Sequence, residues 1–236
     1  DRPMTTLARP RLHALEPQGI LDRDGAYTNA NRLVTLLDNH DLDRRITTEI
    51  LDKVGHWDRD LARQILKLCL TFLFTTRGIP QVYYGTEIGL EGWADPDNRR
   101  DMPWEVFGAD QRPTPDRVFE RDIHDHTARM IRLRSQNPAI RYGYLCTLYG
   151  DQVFYAYLRE FQGNLVLVAI NNGRDPMPAP ATIEIGANSN IPPRISRRLM
   201  GSQSLASQIP GIGDVTAAGG RVEVQLPGKT AGVWTL

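Results

Sequence analysis

Leu33-Val34-Thr35-Leu36-Leu37-Asp38-Asn39-His40-Asp41 is an apolar run that stops abruptly in four polar residues. Short apolar runs with polar ends suit strands buried on both faces, as in a parallel sheet. Downstream, in residues 60–76, Leu61, Ile65, Leu68, Cys69 and Phe72 share one helix face. Asp58 stands where an N-cap belongs, and Gly78 and Pro80 close the helix. A second run, Gln81-Val82-Tyr83-Tyr84, ends at Gly85. A loop rich in Gly, Pro, Asp and Arg follows over residues 86–115. Phe119, Ile123, Thr127 and Met130 then mark another helix, stopped at Asn137-Pro138.

This order of strand, helix, strand, loop and helix implies βα units and a parallel sheet. The loops that grow long follow the strands, the asymmetry of a TIM barrel with its active site at the strand C-termini. Two units cannot close a barrel of eight. The expected fold is therefore α/β plus all-β: the last two or so βα units of a TIM (β/α)8 barrel, over residues 1–138, then an antiparallel β-sandwich domain over 139–236. Strands are predicted at 144–149, 152–158, 164–170, 181–185, 197–200, 222–226 and 231–236, the first two joined by Gly150-Asp151 as a two-residue hairpin. Upstream, residues 11–21 read as a helix ended by the turn Asp22-Arg23-Asp24-Gly25. Asp1-Arg2-Pro3-Met4 reads as an internal start, with any targeting signal upstream of it.

Composition excludes some functions. The 236 residues carry 28 basic and 28 acidic side chains. A net charge of zero argues against a dedicated binder of nucleic acid or of a membrane surface. Two cysteines, Cys69 and Cys146, lie in apolar stretches and read as buried free thiols. The longest apolar stretch, residues 65–74, is interrupted by Lys67 and is too short to span a bilayer.

Asn39-His40-Asp41 sits where a buried strand meets its loop, so a barrel would set His40 and Asp41 at its mouth. A carboxylate beside an imidazole suits sugar hydroxyls and a developing oxocarbenium charge. Taken alone, an Asn-His-Asp after a strand is more often a turn or a cap. The block Arg77-Gly78-Ile79-Pro80-Gln81-Val82-Tyr83-Tyr84-Gly85-Thr86-Glu87-Ile88-Gly89 follows one helix later. The loop Asp95-Pro96-Asp97-Asn98-Arg99-Arg100-Asp101-Met102-Pro103-Trp104 comes third. Together the three blocks closely resemble the α-amylase family of glycoside hydrolases, the last one its neopullulanase- and cyclomaltodextrinase-like members. The family's Arg three positions after the Asp is matched by Arg44.

The resemblance implies that this is the C-terminal part of an enzyme and that Asp41 is the catalytic carboxylate that stabilises the transition state. His40 would donate to the same sugar. The family's nucleophile and general acid come earlier in the chain than anything present here. Glu16 and Asp24 read as a solvated helix residue and a turn residue. Arg44 would pair with Asp41 or hold a neighbouring loop. Arg99, Arg100, Trp93 and Trp104 are substrate-binding candidates, set against an equal reading as a charged surface loop with two anchors. Tyr83, Tyr84 and Glu87 read as packing and loop support. His124 and His126, two apart on a helix, do not share a face, so no metal site is assigned there. Asp95-x-Asp97-x-Arg99 departs from the calcium-loop pattern. No cofactor is assigned to this chain, and any Ca2+ would belong to the missing N-terminal portion.

The partners expected are an α-glucan and that missing portion, on the same or a separate chain; a homodimer is compatible with the sequence. The expected activity is retaining hydrolysis of α-1,4-glucosidic bonds in starch-like glucans, maltooligosaccharides, cyclodextrins or pullulan. Transglycosylation on the same scaffold and a non-catalytic carbohydrate-binding or assembly role are the alternatives.

Overall fold

The computed structural model describes residues 21–186 and 191–236. Its regular elements, in order, are β1 (Val34–Leu36), α1 (Ile46–Val54), α2 (Arg59–Thr75), β2 (Ile79–Gln81), α3 (Val118–Gln136), α4 (Pro138–Tyr142), β3 (Tyr144–Gly150), β4 (Phe154–Phe161), β5 (Asn164–Asn171), β6 (Ala181–Glu184), α5 (Pro193–Met200), β7 (Gln203–Ser207), β8 (Val215–Ala218), β9 (Arg221–Val224) and β10 (Thr230–Thr235). The helix predicted at 11–21 lies outside the described residues, apart from Leu21. The turn that follows it is a short 3-10 helix, Asp22–Ala26.

β1 and β2 pair in parallel, with Val34 opposite Ile79 and Leu36 opposite Gln81. β2 begins two residues earlier than the sequence suggests, and Tyr83 and Tyr84 lie beyond it. Gly78 sets that start. Its φ is +100°, and a Cβ there would stand 2.5 Å from the Leu33 carbonyl oxygen. That carbonyl accepts the Ile79 N–H at 2.8 Å. The expectation that this sheet is buried on both faces is not met within this chain. Val34 is 57% and Ile79 54% exposed, because among the described residues each strand has only the other as neighbour.

α2 starts as expected, the Asp58 side chain accepting the Leu61 N–H at 3.1 Å. Its apolar stripe widens into complete burial from Leu68 to Thr75, because the helix lies between α3 and β10. α3 stops at Asn137, whose side chain caps α4, with Pro138 in the first position.

The remaining eight strands form one antiparallel order, β3-β4-β5-β10-β7-β8-β9-β6, rather than two separate sheets. The edge strands β3 and β6 touch, so the order curls back on itself. Period two assigns the side chains. Tyr155, Tyr157, Val166, Val168, Ile170, Ala231 and Val233 face α2 and join its core. Phe154, Ala156, Leu158, Leu165, Leu167, Ala169 and Trp234 face inward against Ile183, Leu205, Ala217, Val222 and Val224. β4 and β5 are thus covered on both sides and read as nearly unbroken apolar runs.

Three local readings need correction. Residues 197–200 are helical, not a strand: Pro193 opens α5, and Ile195 and Leu199, four apart, bury its one apolar stripe. The hairpin after β3 is longer than two residues, because the Asp151 carboxylate accepts the N–H groups of Val153 and Phe154 and makes the turn itself. β7 and β8, too short and small-residued to stand out, complete the sheet. Both cysteines are buried thiols, and burial pushes that of Cys146 up to about 11.

A chain ending at residue 138 would lose the sheet face that covers Phe72 and Leu68, and would also leave strand edges open. It is expected to aggregate, with no cooperative thermal transition by circular dichroism. His126 is buried against the Thr71 hydroxyl (2.8 Å), and burial, reinforced by Lys67, lowers its pKa to about 4. The unfolded chain takes up that proton near the ordinary value of 6.5. Its contribution is therefore complete above about pH 6.5 and is lost as the pH falls towards about 4, on the order of 3 kcal/mol. Urea denaturation at pH 7 and pH 4.5 should show a smaller loss for His126→Gln than for the unmodified chain.

Candidate active site at the strand ends

Asp38 ends the apolar run and is buried. Its carboxylate accepts the Ile46 N–H (3.0 Å), the first amide of α1, and the Thr86 hydroxyl (2.8 Å) from the loop after β2. The free amides at a helix start favour a carboxylate. Burial nevertheless raises the pKa of this one, its largest influence. Asp38 so ties the loop after β1 to the loop after β2.

Asn39 shapes the next turn. Its side-chain oxygen accepts the N–H groups of Asp41 (2.9 Å) and Leu42 (3.1 Å). That turn sends the Asp41 carboxylate outward, with its side chain 71% exposed. His40 Nε2 stands 3.2 Å from Asp41 Oδ1. The His40 ring centroid is 6.5 Å from that of Tyr83. An exposed carboxylate next to an imidazole, mounted on a braced turn, can meet a polar ligand without its backbone having to move.

Of the two neighbouring arginines, Arg44 faces the surface. It bonds Asp52 of α1 and does not reach Asp41; Asp52 also holds His56 at 2.9 Å. Arg45 is fully buried. Its guanidinium lies against the rings of both Tyr83 and Tyr84, 4.5 and 4.6 Å from their centroids, and donates to the Tyr84 carbonyl at 2.6 Å. Sequence reasoning missed Arg45 and Asp38. Two consecutive arginines do not announce which one turns inward, and an Asp before Asn-His reads as part of the turn.

The third block lies against the first. Asn98, also buried, donates to the carbonyls of His40 (3.1 Å) and Leu42 (2.8 Å). Arg99 reaches the His40 carbonyl at 3.4 Å and pairs with Asp95 at 3.0 Å. Arg100 grips Asp97 through two contacts of 2.6 Å. The Trp93 N–H and then Arg100 hold the Asp97 carboxyl below the usual range. The Trp93 ring stacks on His56 (6.3 Å, 18°) and has Arg100 5.7 Å from its centre. Trp104 is exposed and tilts on Phe107, which meets His124 of α3 edge-on. The structure thus brings Asp41, His40 and Arg99 together. It sets Trp93, Arg100 and Arg44 in a surface cluster with α1, and Trp104 in one with α3. Asp24 pairs with the buried Arg77 at 2.7 Å. Glu16 lies outside the described residues. Among those residues, no group of three His, Cys, Asp or Glu gathers as a metal set would, and no helix is long and apolar enough to cross a membrane.

Residues 19–121 match the family model of the α-amylase catalytic domain. A cyclomaltodextrinase of Thermoanaerobacter pseudethanolicus is 34% identical over 145 residues, 61% of this chain and 22% of that protein. A cyclomaltodextrin glucanotransferase of Bacillus licheniformis is 29% identical over 209 residues, 88% of this chain and 24% of that protein. The crystal structure of an Anoxybacillus α-amylase superimposes with a TM-score of 0.74 at 28% identity, over 99% of this chain and 44% of that one. The chain therefore spans less than a quarter of these curated relatives and less than half of that solved chain.

The two arginines offer a test. Arg45→Leu removes a buried hydrogen bond and two ring contacts and should lower stability by about 2–4 kcal/mol. Arg44→Leu, which breaks a partly exposed ion pair, should cost under about 1 kcal/mol. Urea midpoints of the two variants measure the difference, and equal losses would contradict the geometry.

Proposed function

Since the chain belongs to the α-amylase family of glycoside hydrolases, we propose that it supplies one of the three catalytic carboxylates of a retaining enzyme acting on α-1,4-glucans. The observation that carries this is Asp41: an exposed carboxylate, 3.2 Å from His40, on a turn at the end of β1. In this reading Asp41 and His40 bond the sugar at the point of cleavage and stabilise the oxocarbenium-like transition state. Retaining hydrolysis also needs a nucleophile and an acid roughly 5–5.5 Å apart, and both are to come from the portion that completes the enzyme. Arg99 joins the sugar-binding set by its contact with the His40 backbone.

The same reading makes residues 1–138 the C-terminal part of a (β/α)8 barrel and 139–236 the β-domain that follows it. Val34 and Ile79, opposite one another and each more than half exposed, support it: apolar side chains in register on a parallel pair suit a face that further strands would cover. The substrates proposed are starch-like glucans, maltooligosaccharides, cyclodextrins or pullulan. Glucan transfer is the second reading, favoured by the glucanotransferases among the relatives. Both share a glycosyl-enzyme intermediate and differ in whether water or a sugar attacks it. Incubation with maltotriose separates them: glucose and maltose indicate hydrolysis, longer oligosaccharides transfer.

In the assembled enzyme Asp41→Asn should lower kcat by about 10²–10³-fold or more, the loss on removing a transition-state stabiliser. Near-normal turnover of that variant would sink the assignment. This chain alone should not hydrolyse maltooligosaccharides, and activity in the purified chain would equally contradict it.

A further inference from the structure

We infer that Asn98 is a positioning residue for Asp41, gripping the backbone on both sides of it; this rests on the role proposed for Asp41. The two carbonyls that Asn98 bonds belong to His40 and Leu42, the residues directly before and after Asp41. The two N–H groups on the other side of the same turn are taken by Asn39. Four hydrogen bonds therefore fix the peptide planes around Asp41, and none of them uses its carboxylate.

The Asn98 amide can face only one way. Rotated by 180°, its oxygen would meet two carbonyl oxygens at about the distances the nitrogen now holds. Its own oxygen is buried without a partner. A buried acceptor left unpaired disfavours folding, and an apolar side chain of similar size would avoid it. The feature that does make use of an amide here is the fork of two N–H groups matched to two carbonyls. Loose packing would defeat such a fork, and Asn98 is anchored. A Cβ on Gly92 would lie 3.0 Å from the Asn98 Cα and 2.7 Å from the Asp97 carbonyl oxygen, so the loop rests directly on Gly92. Gly92 in turn accepts the Arg45 N–H (2.9 Å) and donates to the Thr48 hydroxyl (2.8 Å). The third sequence block thus acts on the first from a seat fixed to α1.

A carboxylate that must meet a transition state is sensitive to displacement by a fraction of its hydrogen-bond length, and a shift of 1 Å can cost about 10²-fold. The test is a double-mutant cycle in the assembled enzyme, with Asn98→Ala and Asp41→Asn, read as kcat and KM on maltotriose. Asn98→Ala should lower kcat about 10–100-fold with KM changed less than about threefold. On the Asp41→Asn background the same change should have little further effect. Losses that multiply in the double variant, or no loss in the single one, overturn the positioning role. Near-normal turnover of Asp41→Asn instead overturns the role of Asp41 and with it the reading beneath. Asn98→Asp keeps the size and removes both donors; it should lose kcat as the alanine variant does, and full activity of Asn98→Asp would contradict the fork. A measurement on the unmodified chain guards against variants that fail to fold. The Asn98 side-chain amide protons should exchange slowly with solvent by NMR, and exchange at the rate of a free amide would refute the clamp.

Discussion

Helix α2 ends inside the protein, and a helix that ends in a core must find donors for its last carbonyls. Two arginines from elsewhere supply them. Arg134 of α3 donates to the carbonyls of Phe74 (2.8 Å) and Gly78 (2.5 Å). Arg159 of β4, fully buried, donates to those of Thr75 (3.0 Å) and Gly143 (2.6 Å). Burial lowers the Arg159 pKa to about 10, which still leaves the guanidinium charged at neutral pH. Positive charge at a helix C-terminus also meets the negative end of the helix dipole. The Thr75 hydroxyl completes the junction with the Tyr157 hydroxyl at 2.6 Å.

That junction orders the rest of the molecule in both directions. Towards the C-terminus it seats one face of β4, β5 and β10 on α2, and the opposite face then has to be covered by the curled half of the sheet. Towards the strand ends it fixes Gly78, from which β2 starts. β2 sets the register of β1, and β1 delivers Asp38 to the amide of Ile46 and the hydroxyl of Thr86. Polar contacts thus run from the base of α2 to the turn that presents Asp41. Few of these groups are exposed, so the turn is held by the interior rather than by surface ion pairs, which contribute little.

The candidate site divides its residues by burial. Asp38, Arg45 and Asn98 are buried and bond mostly to backbone, so they hold geometry. His40, Asp41 and Arg99 are exposed and available to a ligand. A rigid support beneath an accessible carboxylate suits transition-state stabilisation, in which the charged group must not move to meet the charge it stabilises.

The sequence by itself determined the order of βα units followed by an antiparallel sheet, the N-cap of α2, the stop of α3 at Asn137-Pro138, and the placement of Asn-His-Asp at a strand end. Each is a local consequence of side-chain period, of Pro and Gly, or of a short polar side chain beside free amides. It also pointed to Asp41 and His40, because three blocks in one order are specific. Only the tertiary structure decided which of Arg44 and Arg45 is buried and that residues 197–200 are helical. It alone turned Asp38 from a turn residue into a tie between two loops. It also revealed that Asn98, 57 positions after Asp41 in the chain, bonds the carbonyls on either side of it. The inward arginine, the Asp38 tie and the Asn98 contacts depend on segments distant in the chain, and neither periodicity nor propensity carries information about which distant partner a polar side chain will meet.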